Sequence, residues 1–196
     1  MKSHIELHLE KNALLIFTSD FWSYPSRSTF FTEVFYRQLQ SPISAYNESD
    51  IAITGEGVID GSGQDWRPVR KNKVTVDEWE HLQRKSGVLN DAGTIWYPMA
   101  DDVQRYARRE ENIIHKYNTP DEWVRLKDYV RPELMHLYHC ERVLLQGVTF
   151  QNSPFWNLHP ELCKHLIVDG VCVRNPWNSQ NCLLYTSPSP RDSTSS

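Results

Sequence analysis

The feature that most constrains the fold is a segment that occurs twice in succession. Cys140-Glu141-Arg142-Val143-Leu144-Leu145-Gln146-Gly147-Val148-Thr149-Phe150-Gln151-Asn152 lies over Cys163-Lys164-His165-Leu166-Ile167-Val168-Asp169-Gly170-Val171-Cys172-Val173-Arg174-Asn175, with Cys, Gly and Asn each displaced by 23 positions. Each copy holds two short β-rich runs around a glycine, followed by a turn. Runs this short cannot bury a face alone, so each copy must stack on the next, strand upon strand at about 4.8 Å. Glycine supplies the bend between the runs, and Asn at the following turn tolerates left-handed backbone and can bond to its stacked neighbour. The predicted fold class is therefore all-β, a right-handed parallel β-helix. An ordinary antiparallel sandwich is the alternative, and the constant offsets count against it.

Earlier segments follow the same grammar more loosely. Asp50-Ile51-Ala52-Ile53-Thr54-Gly55-Glu56-Gly57-Val58-Ile59-Asp60-Gly61 has strand, bend, strand and turn, while Ile5 to Leu9 and Leu14 to Phe17 supply a still earlier rung. Between Ser62 and Arg131 the period becomes helical. Thr75 with Glu78, and Thr119 with Pro120 and Glu122, have the spacing of helix N-terminal capping boxes. Val103, Tyr106, Ala107, Ile113, Ile114 and Tyr117 fall on one helical face. Residues 62–131 are thus expected to form a helical insertion in a partial β-helix domain spanning 1–181, emerging as a loop on one side of the solenoid.

The composition is that of a globular chain: 39% hydrophobic and 23% charged over 196 residues, with a net charge of −4. It carries no basic excess of the kind that nucleic acid or an anionic membrane surface would need, so neither is expected as a partner. No apolar run reaches the length of a membrane span. Met1-Lys2-Ser3 leads directly into a strand pattern without a secretory leader, which reads as an internal start. After Asn181, the run Cys182 to Asp192 looks like a translated sequencing adapter, so residues 182–196 are expected to be a non-native, disordered tail. Excluding Cys182 leaves Cys140, Cys163 and Cys172, which show neither a disulfide framework nor metal-site spacing. They are expected to be buried apolar thiols, and no cofactor or metal is expected.

These residues resemble glycoside hydrolase family 28, the polygalacturonases. The motifs carrying the resemblance are Ile51 to Gly61, Arg131-Pro132 ahead of Cys140, Val148-Thr149-Phe150-Gln151-Asn152-Ser153-Pro154-Phe155-Trp156, and Val173-Arg174-Asn175-Pro176. The resemblance implies a pectin-lyase-like solenoid that hydrolyses α-1,4-galacturonan, or the related rhamnogalacturonan backbone, with inversion. Inversion needs a carboxylic acid and a carboxylate about 6.5–9.5 Å apart, to admit the attacking water between them and the sugar. In the family these groups come from N-x-D and D-D motifs, followed by G-H-G and R-x-K.

Asn181 stands where the Asn of N-x-D would be, with tail following, so the chain reads as an N-terminal fragment whose catalytic carboxylates are absent and which is inactive as it stands. Asp101-Asp102 and Arg125-Leu126-Lys127 imitate two of the motifs, but they lie in the insertion and in the wrong order. Asn181, His159 and Arg131 are the candidate substrate-binding residues. His159 would line the groove from the turn after Trp156, and Arg131 would pair with a uronate carboxylate through its guanidinium. A plain turn histidine and a structural ion pair are the respective alternatives. Trp156 could stack on a sugar face, although a buried aromatic under the turn is favoured. The expected partner is a pectic polysaccharide bound by a monomer, secreted or periplasmic as the family implies. A non-catalytic β-helix module that binds polysaccharide is the competing reading.

Overall fold

The structure is a computed structural model that describes residues 1–31, 34–98 and 131–179, the side chains of 27–31 and 34–37 excepted. Asn181, both imitation motifs, the expected second capping box, the helical face 103–117 and the tail lie outside the described residues.

Three parallel sheets wind around one core. The first runs β1(Ile5–Leu9), β6(Ser49–Gly55), β12(Glu141–Gln146), β15(Lys164–Asp169). The second stacks β2(Leu14–Ile16), β7(Val58–Asp60), β13(Thr149–Gln151) and β16(Cys172–Arg174). The third stacks β5(Ile43–Tyr46), β11(Met135–Tyr138) and β14(Leu158–Glu161). Successive strands of one rung belong to different sheets, so the protein is a parallel β-helix. The 23-residue offset read from the sequence is the ladder register: Glu141 lies beside Lys164, Leu145 beside Val168 and Thr149 beside Cys172.

Alternation sends every second side chain inward, and like stacks on like. Ile51, Val143 and Leu166 form one internal column, Ile53, Leu145 and Val168 a second, and Ile59, Phe150 and Val173 a third. Ile53, Ile59 and Phe150 have no exposed surface. Removing such a side chain from water stabilises the fold by about 1.5–3 kcal/mol. Among the described residues β15 ends the first sheet, and Ile167 there is 59% exposed. Cys140 is buried as expected, whereas Cys163 and Cys172 are only half-buried.

The bends are left-handed residues in register. Gly55 and Gly147 join the first sheet to the second with φ of 108° and 75°. A Cβ on Gly147 would stand 2.4 Å from the Gly55 carbonyl oxygen, so the rung beneath leaves no room for a side chain. At the entry to the first sheet, Asp50, Arg142 and His165 repeat φ values of 56°, 54° and 54°. Asn152 turns left-handed at φ 53°, while Asn175 uses its side chain, its Oδ1 accepting from the Ser153 amide at 3.2 Å.

The long excursion leaves after β7 and returns at β11, yet β5 and β11 pair without a slip. Its described part, 62–98, is mixed rather than uniformly helical. α1(Val76–Arg84) starts at Thr75 with the expected capping box, Glu78 bonding back to Thr75. β8(Val69–Arg70), β9(Val88–Leu89) and β10(Ile95–Tyr97) form an antiparallel sheet packed through Val69, Trp79 and Trp96. A separate hairpin, β3(Ser26–Phe31) with β4(Val34–Leu39), precedes the second rung. Among the described residues no helix is long and apolar enough to cross a membrane.

Candidate substrate-binding site

The third sheet carries polar groups on its outer face. Parallel register sets Ser44, His136 and His159 in one row, and Tyr46, Tyr138 and Glu161 in the next. His159 therefore lies inside β14, not in the turn the sequence suggested. Strand pairing forces its imidazole over that of His136, with ring centroids 4.6 Å apart and planes inclined by 10°.

Glu133, just ahead of β11, bridges the pair. His159 Nδ1 lies 2.8 Å from Glu133 Oε1, and His136 Nδ1 lies 3.5 Å from Oε2. His136 Nε2 is 3.2 Å from Glu161 Oε2, so this ring is held between two carboxylates. A carboxylate only accepts, so Nε2 donates to Glu161, whereas the longer approach of Nδ1 to Glu133 Oε2 is a charge contact without a hydrogen bond. The side chains of Glu133 and His136 are each 3% exposed, whereas Glu161 is 20% exposed and presents the outer end of the network. Just ahead of β14, the buried Asn157 side chain has, among the described residues, no hydrogen-bond partner for either polar atom. Buried groups of this kind ordinarily hold water.

Glu133, His136 and His159 place one nitrogen or oxygen each within 4.8 Å of the others, the spacing from which a metal site can be built. The stacking opposes it. An imidazole coordinates along a lone pair in its own plane, and two nearly parallel rings at this separation direct those lone pairs along separate lines. The arrangement fits a bridging carboxylate better than a cation.

Arg131 is 4% exposed, donates from Nη1 to the Pro154 carbonyl at 2.9 Å and lies 5.4 Å from the centre of the Phe155 ring. Its guanidinium thereby fixes the turn that leads into β14. Trp156, half-buried, stacks on Phe155 and meets His159 edge-on at 4.7 Å. From the other side, the buried Arg67 donates to the Ser153 carbonyl at 2.7 Å and to Asn152 Oδ1 at 2.8 Å. Two arginines from opposite ends of the insertion thus hold one turn. Of the expected site residues, Arg131 bonds this turn and His159 touches its Trp156, while Asn181 lies outside the described residues. Glu133, His136 and Glu161 were missed, although extending the repeat four residues ahead of Cys140 sets His136 upon His159.

No family model matches the chain. A stretch of 53 residues, 27% of this chain and 11% of the relative, is 32% identical to a probable polygalacturonase of Vitis vinifera. Among solved structures, an exopolygalacturonase from Thermotoga maritima superposes with a TM-score of 0.59 at 24% identity, over 93% of this chain and 37% of that one. The family 28 exopolygalacturonase of Yersinia enterocolitica gives 0.61 at 19% identity, over 95% and 32%. The chain is polygalacturonase-like in sequence over a short stretch and in fold over nearly all its length, and it spans about a third of those structures.

Proposed function

We propose that this chain is part of a pectin-degrading glycoside hydrolase that cleaves α-1,4-galacturonan, with rhamnogalacturonan as the related substrate, by an inverting two-carboxylate mechanism. The observation that carries the reading is the coincidence of a polygalacturonase-like stretch with a parallel β-helix of the same kind in one chain. The outer face of the third sheet is the proposed floor of the groove, where Glu161 accepts from sugar hydroxyls and Trp156 flanks it. His136, His159 and Glu133 orient Glu161, and Arg131 holds the turn. In sequence order, Asn181 would precede the motifs that carry the catalytic acid and base. Inversion sets those two groups about 6.5–9.5 Å apart. Release to the cell exterior or periplasm suits a polymeric substrate.

Among the described residues, the carboxylates on the floor, Glu133 and Glu161, are both engaged by histidine. The 196-residue chain is accordingly expected to bind pectin fragments without cleaving them. The test is reducing-sugar release from polygalacturonate by this chain and by the product of the reading frame continued past Asn181. Cleavage by the longer protein alone, with the inverted anomer seen first by NMR, is the expected result. Cleavage by the short chain, or a longer product that binds polygalacturonate and never cleaves it, overturns the reading; the latter result would favour a non-catalytic binding module.

A further inference from the structure

A cavity of about 400 Å³ opens between α1 and the turn after β16. Val74, Leu82 and Pro176 supply its apolar wall, and Asp77, Lys85 and Asn178 its polar groups. Its size falls in the range of small-ligand pockets, and an apolar wall with a few convergent polar groups is the usual composition of such sites. Trp177 lies between two lining residues and is 65% exposed, with the Lys73 ammonium 5.7 Å from its ring centre.

We propose that this cavity is an accessory subsite for one uronate residue of a pectic chain, a proposal that rests on the function proposed above. The C–H face of a pyranose ring needs an apolar or aromatic surface, which Trp177, Pro176 and Leu82 provide. The uronate carboxylate needs a cation, and Lys73 and Lys85 stand at the rim and wall. Hydroxyl groups need mixed donors and acceptors, which Asn178 and Asp77 supply.

The charges also set a direction. Asp77 and His81 lie one turn apart on one face of α1 and Lys85 follows at its C-cap, acid first and base last. Glu78, beside Asp77, is held below the usual carboxylate range by its bonds to Thr75, so the acidic end stays negative. A bound uronate therefore turns its carboxylate towards Lys85 and its hydroxyls towards Asp77. The cavity adjoins the groove floor through Arg67, which lines it and bonds the Asn152–Ser153 turn leading to Trp156 and His159.

The experiment is calorimetric titration of the 196-residue chain with trigalacturonate and with maltotriose, a neutral trisaccharide. Trp177→Ala and Lys85→Glu change exposed side chains, and circular dichroism confirms that each variant retains its fold. The expected result is at least a tenfold loss of trigalacturonate affinity in both variants and no measurable maltotriose binding. Unchanged affinity in both, together with loss of binding in Glu161→Ala, would overturn the subsite and leave the pectin reading standing. Maltotriose binding that depends on Trp177 would overturn the uronate assignment. A wild-type chain that binds neither sugar overturns the subsite and counts against the pectin reading as well.

Discussion

Arg142 grips Asp50 through two parallel bonds, Nε to Oδ1 at 2.7 Å and Nη2 to Oδ2 at 2.9 Å, across 92 residues of sequence. Both residues occupy the left-handed bend at the entry to the first sheet, so the pair ties the rung before the insertion to the rung after it. The guanidinium holds the Asp50 carboxyl down at about 2. A carboxyl depressed in the folded state contributes stability above its unfolded value, about 3.9, and loses it as pH falls through the folded value.

Arg142→Gln should therefore lower the chemical-denaturation midpoint at pH 7, and the gap to wild type should close as pH falls from about 4 towards 2. Because both side chains are substantially exposed, the gap should also shrink in high salt. A gap independent of pH over that range would mean that Arg142 acts by packing alone.

Two glycines with similar backbone angles should respond differently. Gly93 has φ 62° with none of the described residues within 4 Å of its missing Cβ, so Gly93→Ala should cost about 1–2 kcal/mol, the left-handed penalty for an L-residue. Gly147→Ala adds a clash with the Gly55 carbonyl and should cost about 3 kcal/mol or more. Denaturant titration of the two variants measures the difference; equal losses would show that the rungs separate to admit the methyl group.

These contrasts bear on what a reader of the sequence can see. The 23-residue offset is visible because stacking makes each rung answer to the one below it, so the internal columns and the glycine bends are written as repeats. The hairpin of β3 with β4 and the small sheet of β8, β9 and β10 have no second copy to announce them. Trp96 and Tyr97 in β10, and the turn from Asn90 to Gly93 before them, fall inside the stretch 62–131 expected to be helical. Thr75 and Glu78 were legible because a capping box is local. Glu133 was not, since nothing near it in sequence reveals that two stacked imidazoles need its carboxylate.

That carboxylate gives a further prediction. His159→Ala removes the partner of a buried Glu133 oxygen and should destabilise the protein by about 1–3 kcal/mol, the cost of an unmade buried hydrogen bond. Adding Glu133→Gln should recover part of the loss, because the amide is cheaper to leave unpaired than the carboxylate. A double-mutant cycle in denaturant reads the coupling, and strict additivity would show that the 2.8 Å contact carries no energy.

Core and edge should separate equally well. Leu145→Ala, at 1% exposure, should cost about 2–5 kcal/mol. Ile167→Ser on β15, the last strand of the first sheet among the described residues, should leave stability unchanged within about 0.5 kcal/mol and improve solubility, because it takes an exposed apolar group off the sheet's end strand. An equal loss at both positions would mean that β15 is covered in solution.

The unbroken pairing of β6 with β12 and of β7 with β13 makes the peptide between β7 and β11 a tether rather than a template. Whatever the excursion does, the two halves recognise each other through backbone ladders and the Asp50–Arg142 clasp, and lengthening a tether weakens closure only logarithmically. Cut within that tether, the two pieces should reassemble when mixed, and unrelated domains could be spliced there without disturbing the shelves on either side. The solenoid behaves as a rack whose fittings are exchangeable, which makes this joint the natural place to add new specificity.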